Sequence, residues 1–310
     1  MAFQFPGGAN TFVPMAQQAL QVNFSQNPSS FLLNKYVSII SIDKPGGYYI
    51  YHSPDEETRI DYSNAADMVW NDGSYPQVNF SKGQQFVQFL TQRYHQMFTI
   101  GDIAQESAAG LWDVIADHAA SAASRLMTLR TYNVLGQLTN TDNWGTSTAT
   151  ATSIGGGYWS AGGDSNPPYI QKSLQSAIVD IQKATNSTVG PKDLVLVIDP
   201  DTAFAMSQSP EIRNYLKSSY VAGQFLEGSG FLYGLPDPLY GIRVVVEDRV
   251  SSATAHGQAS ANTYILGKNA LLLSRPGALM GGSLYNSMST ASLAVFEDLS
   301  VQVEHKQLAR

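Results

Sequence analysis

The residues best placed for chemistry are two carboxylates flanking a proline, Asp199-Pro200-Asp201. They follow the apolar run Leu194–Ile198, and an α/β enzyme often carries its reactive groups just past the end of such a buried strand. Paired carboxylates there would do acid–base work or hold a hard cation. A cation site needs more oxygen ligands at a recognisable spacing, and none follow. Helix capping accounts for the same residues. Asp satisfies free backbone N–H groups, Pro fills the first helical position at no cost, and Asp201 suits the positive end of the helix dipole. Ser209-Pro210-Glu211 repeats the device. The stretch reads as a strand followed by two capped helices, and capping is favoured over catalysis.

Other motifs fall short of a reaction centre. Gly228-Ser229-Gly230 is followed by Gly234, one residue too late for a dinucleotide fingerprint. Gly155-Gly156-Gly157 lacks the Lys-Ser/Thr ending of a phosphate loop, and Gly281-Gly282-Ser283-Leu284-Tyr285 lacks the last glycine of a nucleophile elbow. The histidines, at 52, 95, 118, 256 and 305, include no pair at the helical zinc spacing. The three glycosylation patterns, at Asn23, Asn79 and Asn186, stand in a chain with no visible secretion signal. No catalytic residue, cofactor or metal is expected.

Composition narrows the classes further. The 310 residues include no cysteine, which excludes disulfides, thiolate metal sites and a Cys nucleophile. The formal net charge of −7 argues against broad nucleic-acid binding, which needs Lys and Arg against phosphates. An acidic surface would not adhere to DNA, so DNA as an enclosed neighbour stays open. The first charged residue is Lys35, and no apolar run approaches the roughly 20 residues of a membrane span. The expectation is a soluble protein without a membrane partner.

The elements that must position these residues form a mixed α+β chain. Residues 1–34 are an uncharged arm rich in Gln, Asn, Gly and Phe, too weakly apolar to order itself alone. From Lys44 to Phe86 the pattern is a two-stranded excursion: Tyr48–Tyr51 has strand character, and Ser53–Glu57 and Asn71-Asp72-Gly73 are turns. Residues 86–100 read as a strand, although Leu90, Tyr94 and Phe98 lie four apart, as on a helix. Asp102 to Leu138 predicts one helix of about 55 Å, with a stripe from Leu111 through Val114, Ile115, Ala119, Ala122 and Leu126 to Leu129. A Thr-, Ser- and Gly-rich stretch over 139–168 marks a loop or boundary. A second helix, Ile170 to Ala184, precedes Leu194–Ile198. Further strands are expected at Gly241–Glu247, Asn262–Leu266, Ala270–Ser274, Ser292–Glu297 and Leu299–Glu304.

This order resembles the major capsid protein of tailed bacteriophages, a fold shared with encapsulin shells, over nearly the whole chain. The most specific part is the helix Ile170–Ala184, Pro191, the strand Leu194–Ile198, the short helix Thr202–Met206, and then Ser209-Pro210-Glu211-Ile212. Members often carry His before that proline, where this chain has Ser209. Thr99-Ile100-Gly101-Asp102 resembles the family's entry into its spine helix. Lys268-Asn269-Ala270 through Arg275-Pro276-Gly277-Ala278-Leu279 resembles a late strand pair and turn.

The resemblance implies an N-terminal arm (1–44), an extended β loop (45–86), a peripheral domain with the spine helix (87–144 and 285–310) and an axial domain (145–284). It implies a structural protein, not an enzyme: pentamers and hexamers of one chain closing an icosahedral virion shell around double-stranded DNA, without sequence-specific contacts. Assembly would occur in the host bacterial cytoplasm, with a portal protein, a separate scaffolding protein and optionally a decoration protein. The alternative is an encapsulin-like compartment enclosing cargo enzymes. Expected intersubunit contacts are Phe3, Phe5, Phe12 and Phe24 of the arm, the acidic tip Asp55, Glu56 and Glu57 with Arg59 and Trp70 of the loop, and the basic candidates Arg125 and Arg130 on the spine helix.

Overall fold

A computed structural model describes residues 31–51, 85–101, 113–144, 159, 170–185, 187, 189–218, 231–252, 254, 261–274 and 292–295. The chain divides into two compact bodies: Met1–Phe31 with Arg93–Arg130 and Leu299–Arg310, and Leu32–Gln92 with Thr131–Asp298. Helices and strands are mixed in sequence, as the α+β reading expects.

The second body is built on a three-stranded sheet. Its central strand, β4 (Leu194–Ile198), runs parallel to β7 (Arg243–Val246) and antiparallel to β10 (Leu271–Ser274). All five residues of β4 are buried, because both sheet faces are covered. Side chains alternate between the faces, so the strand divides its residues between two cores. Leu194, Leu196 and Ile198 join Val244 and Val246 in one cluster. Val195 and Val197 join Val245 and Leu273 in the other.

Three helices supply the first cluster. The helix Ile170–Ala184 contributes Ile170 and Leu174, with Ile178 and Ile181 packed beside them, the stripe expected from the sequence. Pro200–Ser207 contributes Ala203 and Met206, and Pro210–Ser218 contributes Ile212 and Leu216. These helices are α2, α3 and α4 below. The second cluster is closed by Leu33, Tyr36 and Val37 and by Leu135 and Leu138 of helix α1 (Val114–Thr139). Residues 31–41 of the predicted arm thus belong to the folded part: Phe31, Leu33, Tyr36, Val37 and Ser38 are all buried.

Helix α1 is shorter than expected. Its 26 residues span about 39 Å. The start is set by Asp113, whose Oδ1 accepts from the Ala116 N–H at 3.0 Å while its carbonyl accepts from Asp117 N–H. A side chain spent on its own first turn marks the residue before the helix, so no continuous helix runs from 102. Residues 102–112 lie outside the described residues. Leu129 of the predicted stripe is exposed, and the burial of Thr131, Leu135 and Leu138 replaces it in the last turns. At the C-terminus, Trp144 Nε1 and Asn143 Nδ2 donate to the carbonyls of Leu138 and Gln137, satisfying acceptors that a helix end leaves open.

The remaining described pairs are small. β1 (Ser38–Ser41) runs parallel to β11 (Ser292–Val295), placing Ile39 opposite Leu293. β2 (Gly46–Tyr51) and β3 (Gln85–Leu90) form an antiparallel ribbon. The strand expected over 86–100 ends at Leu90, and 91–101 have neither strand nor helix, so the four-residue spacing of Leu90, Tyr94 and Phe98 is not helical. β5 (Phe231–Leu232) and β6 (Leu235–Pro236) turn through Tyr233 and Gly234, both at positive φ, the backbone of a two-residue hairpin. A Cβ on Gly234 would also meet Ser207 Cβ at 3.1 Å, so the glycine discounted as a nucleotide motif is a turn against α3. β8 (Val250–Ser252) pairs with β9 (Asn262–Tyr264), which ends short of the expected Leu266. The strand expected at Leu299–Glu304 lies outside the described residues.

Candidate functional site

The carboxylates that opened the search are fixed in structural work. Asp199 is 2 % exposed, and its Oδ1 accepts from the Thr202 N–H at 3.0 Å at the head of α3. Asp201 is exposed in the first turn. Ser209 is fully buried and caps α4, its Oγ accepting from Ile212 N–H at 3.3 Å. Both capping assignments hold.

Glu211 does something the sequence did not reveal. Besides standing in the first turn of α4, it reaches the head of a different helix. Its Oε2 accepts from Ile170 N–H at 2.8 Å and its Oε1 from Gln171 N–H at 2.7 Å. One carboxylate thus satisfies two of the free donors of α2 and meets the positive end of its dipole. The Tyr240 hydroxyl donates to the same Oε1 at 3.3 Å. Burial, and then the Glu211 charge, push the Tyr240 hydroxyl above its ordinary range. The chemistry available is charge-assisted hydrogen bonding that locks α2, α4 and the 239–242 turn together, not proton transfer.

A second polar pair lies in the other cluster. Tyr36, fully buried, donates its hydroxyl to Glu247 Oε2 at 2.8 Å. Burial raises the Tyr36 hydroxyl, and the Glu247 charge adds to it. Burial likewise raises the Glu247 carboxyl; the Tyr36 hydrogen bond opposes, Asp248 reinforces and Arg249 opposes. One signal could have found it. Glu247 follows Val244-Val245-Val246 and shares parity with Val245, so it points into the same layer.

The most exposed large apolar side chains among the described residues of the second body lie on the β2–β3 ribbon. Tyr48 pairs with Gln88 and Leu90 with Gly46, and Phe86 pairs with Ile50, so by register Tyr48, Phe86 and Leu90 share one face. They are 65 %, 64 % and 76 % exposed. In the other body Met97 is 85 % exposed and Tyr94 50 %. Such a surface, uncovered, is an interaction site or an aggregation hazard.

Of the residues expected at subunit contacts, Phe3, Phe5, Phe12, Phe24, Asp55, Glu56, Glu57, Arg59 and Trp70 lie outside the described residues. Arg125 is exposed on α1, and Arg130 is half-buried with its Nη1 4.0 Å from Met127 Sδ. Among the described residues no cluster of three or more His, Asp or Glu could hold a metal, and no helix is long and apolar enough to cross a membrane.

The described residues thus form a capped strand-and-helix core with an exposed ribbon face, and comparison with known proteins supplies a family. The phage capsid protein family model matches residues 87–285, well over half of the chain. The chain belongs to the phage capsid protein family. Among solved structures, the capsid of cyanophage P-SCSP1u is similar at 11 % identity, a TM-score of 0.47, and coverage of 88 % of this chain and 77 % of that one. The mature capsid of bacteriophage PhiM1 is similar at 10 % identity, a TM-score of 0.43, and the same coverages. No curated protein matches. Family membership implies a structural, non-enzymatic capsid role for this protein, and it does not favour the cargo-compartment alternative.

Proposed function

We propose that this capsid protein is the major shell subunit of a tailed phage: copies of the one chain close an icosahedral shell of pentamers and hexamers around double-stranded DNA. The observation that carries the reading is the shared apolar face of Tyr48, Phe86 and Leu90. A two-stranded ribbon is marginal by itself. Burying this face on a neighbouring copy would satisfy both the ribbon and the exposed side chains. A net charge of −7 suits a wall that contains DNA without adhering to it.

The four-part organisation fits the same reading: arm, extended loop, peripheral domain with α1, and axial domain around the β4 sheet. So do the arm phenylalanines and the acidic loop tip as contacts between copies. Electron microscopy of the purified chain, alone and co-expressed with the neighbouring virion genes, tests the proposal. Closed shells are the expected result. A protein that stays monomeric in both settings overturns it.

A further inference from the structure

Glu247 stands one residue past β7, and its backbone N–H extends the ladder to the Ile198 carbonyl at 2.8 Å. Its side chain enters the second core at 1 % exposure. Oε2 accepts from Tyr36, but Oε1 is buried and takes no hydrogen bond among the described residues. The charged and titratable groups facing it are Tyr36 from the Leu33–Val37 segment, and Asp248 and Arg249 from its own stretch. The hydrophobic residues clustered with Tyr36 include Leu33, Val37, Leu135, Val245, Leu266 and Leu273, and Arg249, itself buried, lies beside the carboxyl and also hydrogen-bonds it through its backbone. A carboxyl half-satisfied in such surroundings is tolerable as a neutral acid and costly as an anion.

The hydrogen-bond partner comes from a distant part of the chain. Tyr36 is 211 positions away, and the segment carrying it runs directly into β1, which pairs with β11. We propose that Tyr36 and Glu247 form a proton-operated latch: neutral Glu247 holds the Leu33–Val37 segment, and with it β1, against the sheet, and ionised Glu247 releases it. Lifting the segment takes Tyr36 off the carboxyl and admits water. The anion therefore favours the open form and the acid favours the closed one. This inference stands apart from the shell reading.

The direction with pH follows. The closed-state carboxyl is raised above its ordinary range, burial being the largest cause. The latch is therefore fully closed at pH below the ordinary glutamate range. It weakens as pH rises toward the closed-state value and is level beyond it.

The test is amide hydrogen exchange over residues 33–41 of the full-length chain in a pH series, corrected for the intrinsic exchange rate. The expected opening constant rises about tenfold per pH unit between the exposed and buried titrations, then levels. Glu247→Gln, which keeps the shape and an acceptor, is expected to give a flat profile. A flat wild-type profile, or the same rise in Glu247→Gln, overturns the proposal. Tyr36→Phe guards against a Gln variant that does not fold. It removes a hydrogen bond that favours the anion, so the rising limb should extend to higher pH. An unchanged limb overturns the pairing. Infrared spectroscopy supplies the remaining check, since a protonated-carboxyl band should persist through the rising limb and vanish at the pH where the opening constant levels. Its absence from the closed protein also overturns the proposal.

Discussion

Replacing Glu211 by Ala should cost far more than removing a helix-terminal acid usually does. Its two oxygens receive the Ile170 and Gln171 N–H groups at 2.8 and 2.7 Å, delivered to α2 from α4 across about forty residues of sequence. A hydrogen bond to a charged acceptor contributes about 1.5–3 kcal/mol, and loss of an ordinary helix cap costs about 0.5–2 kcal/mol. Glu211 is half-buried, so water recovers part of what two such bonds provide. The expected loss is about 2–3 kcal/mol. Glu211→Gln should fall between, because it keeps one acceptor and points an amide donor at the other N–H. Asp201→Ala is the control: exposed in the first turn of α3, it should cost only about 0.3–1 kcal/mol. Urea unfolding of soluble subunits followed by circular dichroism gives the totals. Hydrogen exchange in the first turn of α2 localises the effect. If Glu211→Ala costs no more than Asp201→Ala, or Glu211→Gln matches wild type, the carboxylate is not fastening the two helices.

Three further outcomes are expected. Leu196→Ala, at the centre of the fully buried β4, should lose about 2–5 kcal/mol in the same unfolding assay, because it leaves a void in the first cluster. Changing Tyr48, Phe86 and Leu90 together to Ser should change subunit stability by no more than about 1.5 kcal/mol, about 0.5 for each solvent-facing side chain, yet abolish shells by electron microscopy. Deleting residues 2–24 should leave folded, soluble subunits that fail to build stable shells. Shells of normal heat resistance would place the arm outside the assembly contacts.

Much of the local structure was legible because local chemistry dictates it. Asp199-Pro200 and Ser209-Pro210 can hardly do better than begin helices, and five consecutive apolar residues at Leu194–Ile198 need cover on both faces. The stripe from Ile170 to Ile181 likewise announced its buried side. Helix α1 was misjudged at its start, since Asp113 stops a pattern that apolar periodicity alone carries through.

What only the tertiary structure decided was which distant groups meet. Glu211 looked like an acid serving its own helix, and packing of α4 beside α2 hands it to another helix's free donors. Glu247 looked like the polar end of a strand, and Tyr36 looked like the trailing edge of an arm. Folding removes both from water and leaves each facing the other. Residue type and spacing determine propensity, capping and which face of an element is apolar, because those depend on neighbours within a turn or two. The partner of a buried polar group depends on chain segments hundreds of residues apart. Its protonation depends on how much water the closed core excludes.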